Sequence, residues 1–389
     1  MQRSATIPVL GAAHALDHSF LAALPPILLL IMQDTGATLQ TMSLIATVSY
    51  LLFGAGALIG GSVSDKIGEG KVLFAGLALA GVSSFVPFAD RGVGALTAGL
   101  VMMSAATSFY HPTANSLISK VYRNQTGKAM AAHGVGGSVG QVFIPTISVF
   151  LAMAVGWRFS FAFFGVLSIF TAILILKLRP GWTPESAKTK LRMGFLRNRG
   201  FWLLVLYSLF IGLYFRGAEL FVPTFLTTER SFTIETAGLG ISLLMGCGVV
   251  GQILGGFSSD RIGAAKALVF QSLGVAASFV FLIAGGTFGA ICFLVLYGLS
   301  HYATQPTTNV LTADVCSGEE RGLVYGIMFF LTFGLGSISS AMAGYLATGP
   351  GMTWSFLSLM VMSVIALLVS LPIAAVSKGK SPAQNSKEE

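Results

Sequence analysis

The chain has 389 residues, 54% of them hydrophobic and only 10% charged, with a formal net charge of +8. A soluble globular domain carries about 25% charged residues, so the composition excludes a soluble protein and points to a polytopic membrane protein. The positive excess sits between apolar runs and at the ends, which argues for membrane topology and against a nucleic-acid partner. Cys247, Cys292 and Cys316 are scattered with no CxxC or CxxH spacing, so neither a disulfide framework nor a zinc site is indicated.

A bilayer core of about 30 Å needs roughly 20 mostly apolar residues per helix. On that ruler the sequence predicts spans over 7–32, 41–64, 72–89, 95–117, 127–152 and 158–178, then over 201–226, 236–258, 266–285, 288–313, 322–346 and 353–376. The first run is long enough to span and be retained, so no cleaved leader is expected. Segment 179–200, rich in Lys, Arg and Pro, reads as a linker between an N-terminal six-helix bundle (1–178) and a C-terminal one (201–376). The polar tail 377–389 is expected to be disordered. Placing both termini in the cytoplasm puts nineteen of the twenty-three Lys and Arg on that side and leaves only Arg91, Arg158 and Arg230 outside. The expected location is therefore the inner (plasma) membrane.

The halves echo one another. Gly60-Gly61-Ser62-Val63-Ser64-Asp65-Lys66-Ile67-Gly68 returns 195 residues later as Gly255-Gly256-Phe257-Ser258-Ser259-Asp260-Arg261-Ile262-Gly263. His111-Pro112-Thr113-Ala114-Asn115 matches Gln305-Pro306-Thr307-Thr308-Asn309, and the run from Gly156 to Phe161 has a weaker counterpart from Gly351 to Phe356. Three points of register at nearly one offset predict a tandem duplication, one of the described transporter layouts.

Two six-helix halves, each with a Gly-x-x-x-Asp-(Arg/Lys)-x-Gly loop after its second helix, resemble the major facilitator superfamily. The resemblance covers the chain up to the tail. Within it, His14-Ala15-Leu16-Asp17-His18, Phe109-Tyr110-His111-Pro112 and Gly134-Val135-Gly136-Gly137-Ser138-Val139-Gly140 look most like the fosmidomycin-resistance branch of drug exporters. The resemblance implies an all-α fold of two pseudo-symmetric bundles that rock about a central site. It also implies that Gly61, Asp65, Lys66, Arg123, Gly256, Asp260 and Arg261 gate the cytoplasmic side, and that the glycine-rich fifth helix packs at the interface between the halves.

Ionisable groups at membrane depth cost about 2.5–3.5 kcal/mol each on insertion scales, which makes them functional candidates. Asp17 lies between His14 and His18, which share a helix face at i,i+4, with His111 and His133 on the fourth and fifth helices. Histidine titrates near pH 6.5, so the cluster can bind and release protons. Asp17 is read as the main proton carrier. Single histidines that merely bond a carbonyl between helices are the competing reading, and a divalent metal site is a second. Arg216 and Glu219, at i,i+3, are either a neutralising pair or an anion anchor whose acid takes a proton. His301, Asn115, Gln141, Gln305, Asn309, Tyr110 and Tyr214 are the remaining substrate-binding candidates, and Pro112 and Pro306 are candidate bends.

The reading that follows is a proton-coupled antiporter exporting a small organic, anionic or drug-like compound. An uptake carrier for an organic anion and a divalent metal exporter are the alternatives. No GxxxxGK(S/T) motif is present, so ion gradients must supply the energy. An enzyme is disfavoured because HExxH is absent and the duplication already explains the architecture. Small molecule, protons and lipid are the expected partners, with no cofactor and a monomeric state.

Overall fold

The computed structural model describes residues 2–90, 92–184 and 193–378. Arg91, linker residues 185–192 and the tail from 379 lie outside the described residues. Among the described residues twelve helices are long and apolar enough to cross a membrane: α1 (Ala5–Thr35), α2 (Leu39–Ile67), α3 (Glu69–Phe88), α4 (Val93–Val121), α5 (Thr126–Val155) and α6 (Trp157–Leu178), then α7 (Arg199–Glu229), α8 (Ile234–Ile262), α9 (Ala264–Ala284), α10 (Gly286–Asp314), α11 (Arg321–Thr348) and α12 (Met352–Ala375). Each expected span falls on one of them; most of the helices run a few residues past the expected ends because their last turns are polar, whereas α3 and α9 stop one residue short. Exposed Phe150, Phe170, Phe257, Phe270 and Phe288 belong to an apolar outer surface that lipid, not water, would solvate.

Four helices are interrupted. In α3 the α-helix ends at Ser83 and a 3-10 turn, Val86–Phe88, completes the span. In α1, Pro25 and Pro26 open a short 3-10 turn, Pro25–Ile27. In α4 the helix breaks at Ser108 and Phe109, just ahead of Pro112, whereas α10 continues through the matching Pro306. The expected paired bend is thus an interruption on one side only. In α11 a π-helical turn spans Phe330–Gly334; such turns recur at functional sites.

Within the N-terminal half α3 packs on α6 and α1 on α5; within the other half α9 packs on α12 and α10 lies between α8 and α9. The halves meet chiefly where α2 lies along α11 and α5 along α8. At the first seam a Cβ on Gly54 would strike the backbone of Gly334, and Thr47 and Ser337 exchange side-chain-to-carbonyl hydrogen bonds of 3.1 Å. At the second, Thr146 bonds Ser242 at 2.7 Å and Ser138 donates to Gln252 at 3.2 Å. Small and hydroxylated residues make these seams because close approach and shared hydrogen bonds hold helices together in lipid.

The duplication reaches finer detail than the motifs. Ser160 donates to the carbonyl of Ser148, and 195 residues on Ser355 donates to that of Ala343. Gly60 lies against Pro112 of α4, and Gly255 against Ala303 of α10. The close approach is therefore made by Gly60 and Gly255. A Cβ on the expected Gly61 or Gly256 would meet nothing within 4 Å.

Candidate functional site

Four imidazoles converge in the N-terminal half. Gly137 on α5 makes this possible, because a Cβ there would run into the ring of His14. With that space free, His14 stacks on His133 at 4.5 Å between centroids and 9° between planes. His18 and His111 stand 5.1 Å from His14 and 5.0 Å from each other. The glycine run thus serves α1 rather than the partner half: Gly136, Gly137 and Gly140 face Gly11, His14 and Ala15. The fifth helix does lie at the interface between the halves, as expected, but it meets α8 through Ser138 and Thr146 rather than through Gly136, Gly137 and Gly140.

Hydrogen bonds fix two of the rings. The Tyr110 hydroxyl donates to the carbonyl of Leu10 at 2.6 Å, so His133 Nε2, 3.0 Å away, must carry the proton and donate to it. His14 Nδ1 lies 3.3 Å from the carbonyl of His133, an acceptor only, so Nδ1 carries the proton and Nε2 keeps its lone pair. Tyr110, expected to bind substrate, is buried and acts as a brace.

Asp17 is fully buried, with Oδ2 3.4 Å from His111 Nε2. Neither carboxylate oxygen nor that nitrogen has a hydrogen-bond partner among the described residues. The carboxylate lines a small cavity bounded by Val72, Gly76 and Leu77 of α3 and Thr107 of α4. Asp17 therefore sits inside one half, behind His111, and not in an open chamber between the halves. His111 does face the other half, meeting Phe329 of α11 at 5.0 Å, while His18 and His111 both meet Phe53 of α2 in their own half.

Beyond Phe53, Phe329 and Phe333 lies the second constellation. Arg216 is paired with Glu219, and its guanidinium stands over the rings of Tyr50 (4.6 Å), Phe215 (4.9 Å) and Phe333 (4.3 Å). Arg216 Nε and the Tyr50 hydroxyl are buried without a hydrogen-bond partner among the described residues. Glu219 borders a small cavity with Ile241 and Met245 of α8 and Tyr297 and Tyr302 of α10. Next to it His301 bonds the hydroxyl of Tyr214 at 3.1 Å and stacks on Phe215 and Tyr297.

The uncharged candidates scatter. Gln305 accepts from Gln252, which joins α10 to α8 and, through Ser138, to α5. Gln141 is half-buried, and Asn115 and Asn309 are exposed. Among the loop residues Asp65 pairs at 3.5 Å with Lys120 of α4, which was not among the expected gating residues. Lys120 also binds buried Glu69, which accepts from Ser116. Lys66, Arg123, Asp260 and Arg261 are exposed. Glu69 and Lys120 escaped the sequence reading because each lies at the end of a span, where charge reads as topology. The letters Gly136-x-Ser138-x-Gly140 spell a nucleophile-elbow pattern, yet Ser138 lies within a continuous helix and bonds Gln252, so no strand-to-helix elbow exists.

Residues 10–341 match the family model described as Major Facilitator Superfamily. A probable sulfoacetate transporter of Cupriavidus necator is 26% identical over 83% of this chain and 82% of its own. A hexuronate transporter of Bacillus subtilis is 23% identical over 88% of this chain and 86% of its own. Among solved structures, a bacterial homologue of the human lysosomal transporter Spinster, in an inward-facing unoccupied conformation, superposes with a TM-score of 0.79 at 17% identity, covering 98% of this chain and 99% of the other.

Proposed function

The chain belongs to the Major Facilitator Superfamily, and from that premise we propose that it carries a small organic anion together with a proton, anchored at Arg216. It is a multi-pass membrane protein and a secondary transporter of small organic substrates, not an enzyme. The observation that carries the anion reading is the buried Arg216–Glu219 pair, in which the arginine keeps an unused donor beside an unused hydroxyl of Tyr50. A carboxylate, sulfonate or phosphate group fits that fork. The names of the two sequence relatives, sulfoacetate and hexuronate transporters, point the same way.

The charge balance sets the coupling. A guanidinium at this depth needs an opposite charge, and Glu219 supplies it when no substrate is present. An arriving anion takes over the guanidinium, and the carboxylate it displaces is left buried beside a second negative group. That arrangement is relieved when Glu219 takes a proton. Proton and anion therefore load the same state, which is symport, and an inward proton gradient drives uptake.

The halves rock about the α2–α11 and α5–α8 seams. The packing of α1 through Pro25–Ile27 on α7 and α8, and the exposure of Asn115, Ser119 and Asn309 towards the loop-motif end, support a conformation open at that end. The Lys and Arg bias supports a cytoplasmic location for that end, with the chain in an inner membrane. Proton-coupled export, the reading first expected from the sequence, differs in one respect: it requires anion and proton to exclude each other.

The test is a panel of sulfonates, uronates and phosphate esters offered to proteoliposomes with an inward acid gradient. At least one anion is expected to accumulate, and Arg216→Gln to abolish its uptake while the purified variant stays monodisperse. Uptake of cationic drugs in place of anions, or unaltered uptake by Arg216→Gln, would overturn the reading.

A further inference from the structure

The anion site leaves the imidazoles of the N-terminal half without a task. His14, His18 and His111 each offer a ring nitrogen, and these three nitrogens lie within 4.8 Å of one another. We propose that His14, His18 and His111, with Asp17 as a fourth, carboxylate ligand, form a binding site for a divalent transition-metal ion such as Zn²⁺.

Four observations carry this. First, three imidazoles and one carboxylate are a donor set suited to borderline divalent ions, whereas Mg²⁺ and Ca²⁺ require a shell of oxygens. Second, the His14 tautomer is set from outside: Nδ1–H points at the His133 carbonyl, which leaves Nε2 free as a ligand. A ring nitrogen anchored to a carbonyl is the usual support behind a metal-binding histidine. His133 in turn is held by Tyr110, so it supports the set rather than joining it.

Third, Asp17 and His111 face each other at 3.4 Å with both carboxylate oxygens and His111 Nε2 lacking a hydrogen-bond partner among the described residues. Buried polar groups are almost always satisfied, and a cation between them would satisfy all three atoms. Fourth, the three imidazoles are each only partly buried, although His111 Nε2 and Asp17 are sealed, so an ion would approach past the rings. Zinc binds nitrogen at about 2.0–2.1 Å, so closing on an ion needs only small ring rotations from the present spacing. The site lies across the Phe53, Phe329 and Phe333 partition from Arg216, which makes it separate from the anion site.

Co²⁺ titrated into the full-length, tag-free protein in detergent tests this, read by the visible absorption of the cobalt ion, with Zn²⁺ as competitor. One Co²⁺ per chain is expected, with the strong bands of a tetrahedral nitrogen and oxygen site, displaced by Zn²⁺ and not by Mg²⁺. His18→Gln and His111→Gln should each weaken binding by about tenfold or more, and Asp17→Asn should alter the spectrum. His301→Gln, in the other half, should leave binding unchanged. Arg216→Gln should also leave it unchanged, so that failure of the anion reading and failure of this one are told apart. Absence of saturable binding in the wild-type protein below about millimolar concentrations, or equal losses in His18→Gln and His301→Gln, would overturn the proposal.

Discussion

The first and seventh helices hold corresponding places in the two halves, yet they carry opposite chemistry. In the N-terminal half an acid, Asp17, is sealed at 0% exposure behind a fan of imidazoles. In the C-terminal half a base, Arg216, stands against aromatic faces that α2 and α11 contribute, and its acid turns aside into a small cavity. One half is equipped to receive positive charge and the other negative. Duplication copied the scaffold, down to the Ser160 and Ser355 hydrogen bonds, and left the polar residues free to diverge.

Substitutions in the C-terminal site should break this contrast most sharply. Arg216→Ala leaves Glu219 at membrane depth without its partner and is expected to destabilise the protein by about 3–5 kcal/mol, as for one-sided removal of a buried ion pair. Adding Glu219→Gln should restore most of the thermal stability while anion uptake stays lost. If uptake returns with stability, Arg216 is only structural. Glu219→Gln alone should keep anion exchange and lose proton-driven accumulation.

The loop motifs sharpen the comparison at lower amplitude. Lys120→Met strips buried Glu69 of its cation and should lower stability by about 1–3 kcal/mol. Its counterpart position in the other half is Asp314, with Ala264 in place of Glu69, so Asp260→Asn at the exposed loop should change stability by no more than about 0.5 kcal/mol. Equal effects on denaturant midpoints would show that the two loops are mechanically alike after all. Gly137→Ala pushes a methyl group into the His14 ring and should destabilise by about 1–3 kcal/mol, with the cobalt spectrum lost in the same variant.

The smallest effect expected is one of pH. Glu320, between α10 and α11, accepts from the Ser317 amide and hydroxyl and from the amides of Gly194 and Phe195, which holds its carboxyl below the usual glutamate range. A lowered pKa means that the folded state binds fewer protons than the unfolded one. The stability it adds is complete above the ordinary glutamate range and disappears as pH falls through the lowered value. Melting temperatures of the wild type and Glu320→Gln should therefore differ at neutral pH and converge in acid; a gap that persists in acid would contradict the assignment.

The spans were legible because an apolar run of membrane length has few other uses, and the repeat because two glycine-aspartate loops recur at one offset. His14, Asp17 and His18 could be grouped from helical spacing alone. That His111 and His133 join them depends on how α4 and α5 lean on α1, which no local pattern encodes. Gly61 was singled out where Gly60 makes the contact, because a glycine pair shows that helices approach without showing which residue faces the neighbour. Lys120 lies at the end of a span, where a charge reads as topology, yet it is the partner of Asp65 and Glu69. Phe53, Phe329 and Phe333 stand out in no way from the other forty aromatic residues of an apolar chain.

The direction of proton movement tests the central claim most directly. With proteoliposomes held at zero membrane potential and no initial pH gradient, an inward gradient of the transported anion should carry protons inward and acidify the lumen, and Glu219→Gln should abolish that acidification. Protons leaving the lumen as the anion enters would contradict the shared loading of anion and proton at Arg216 and Glu219.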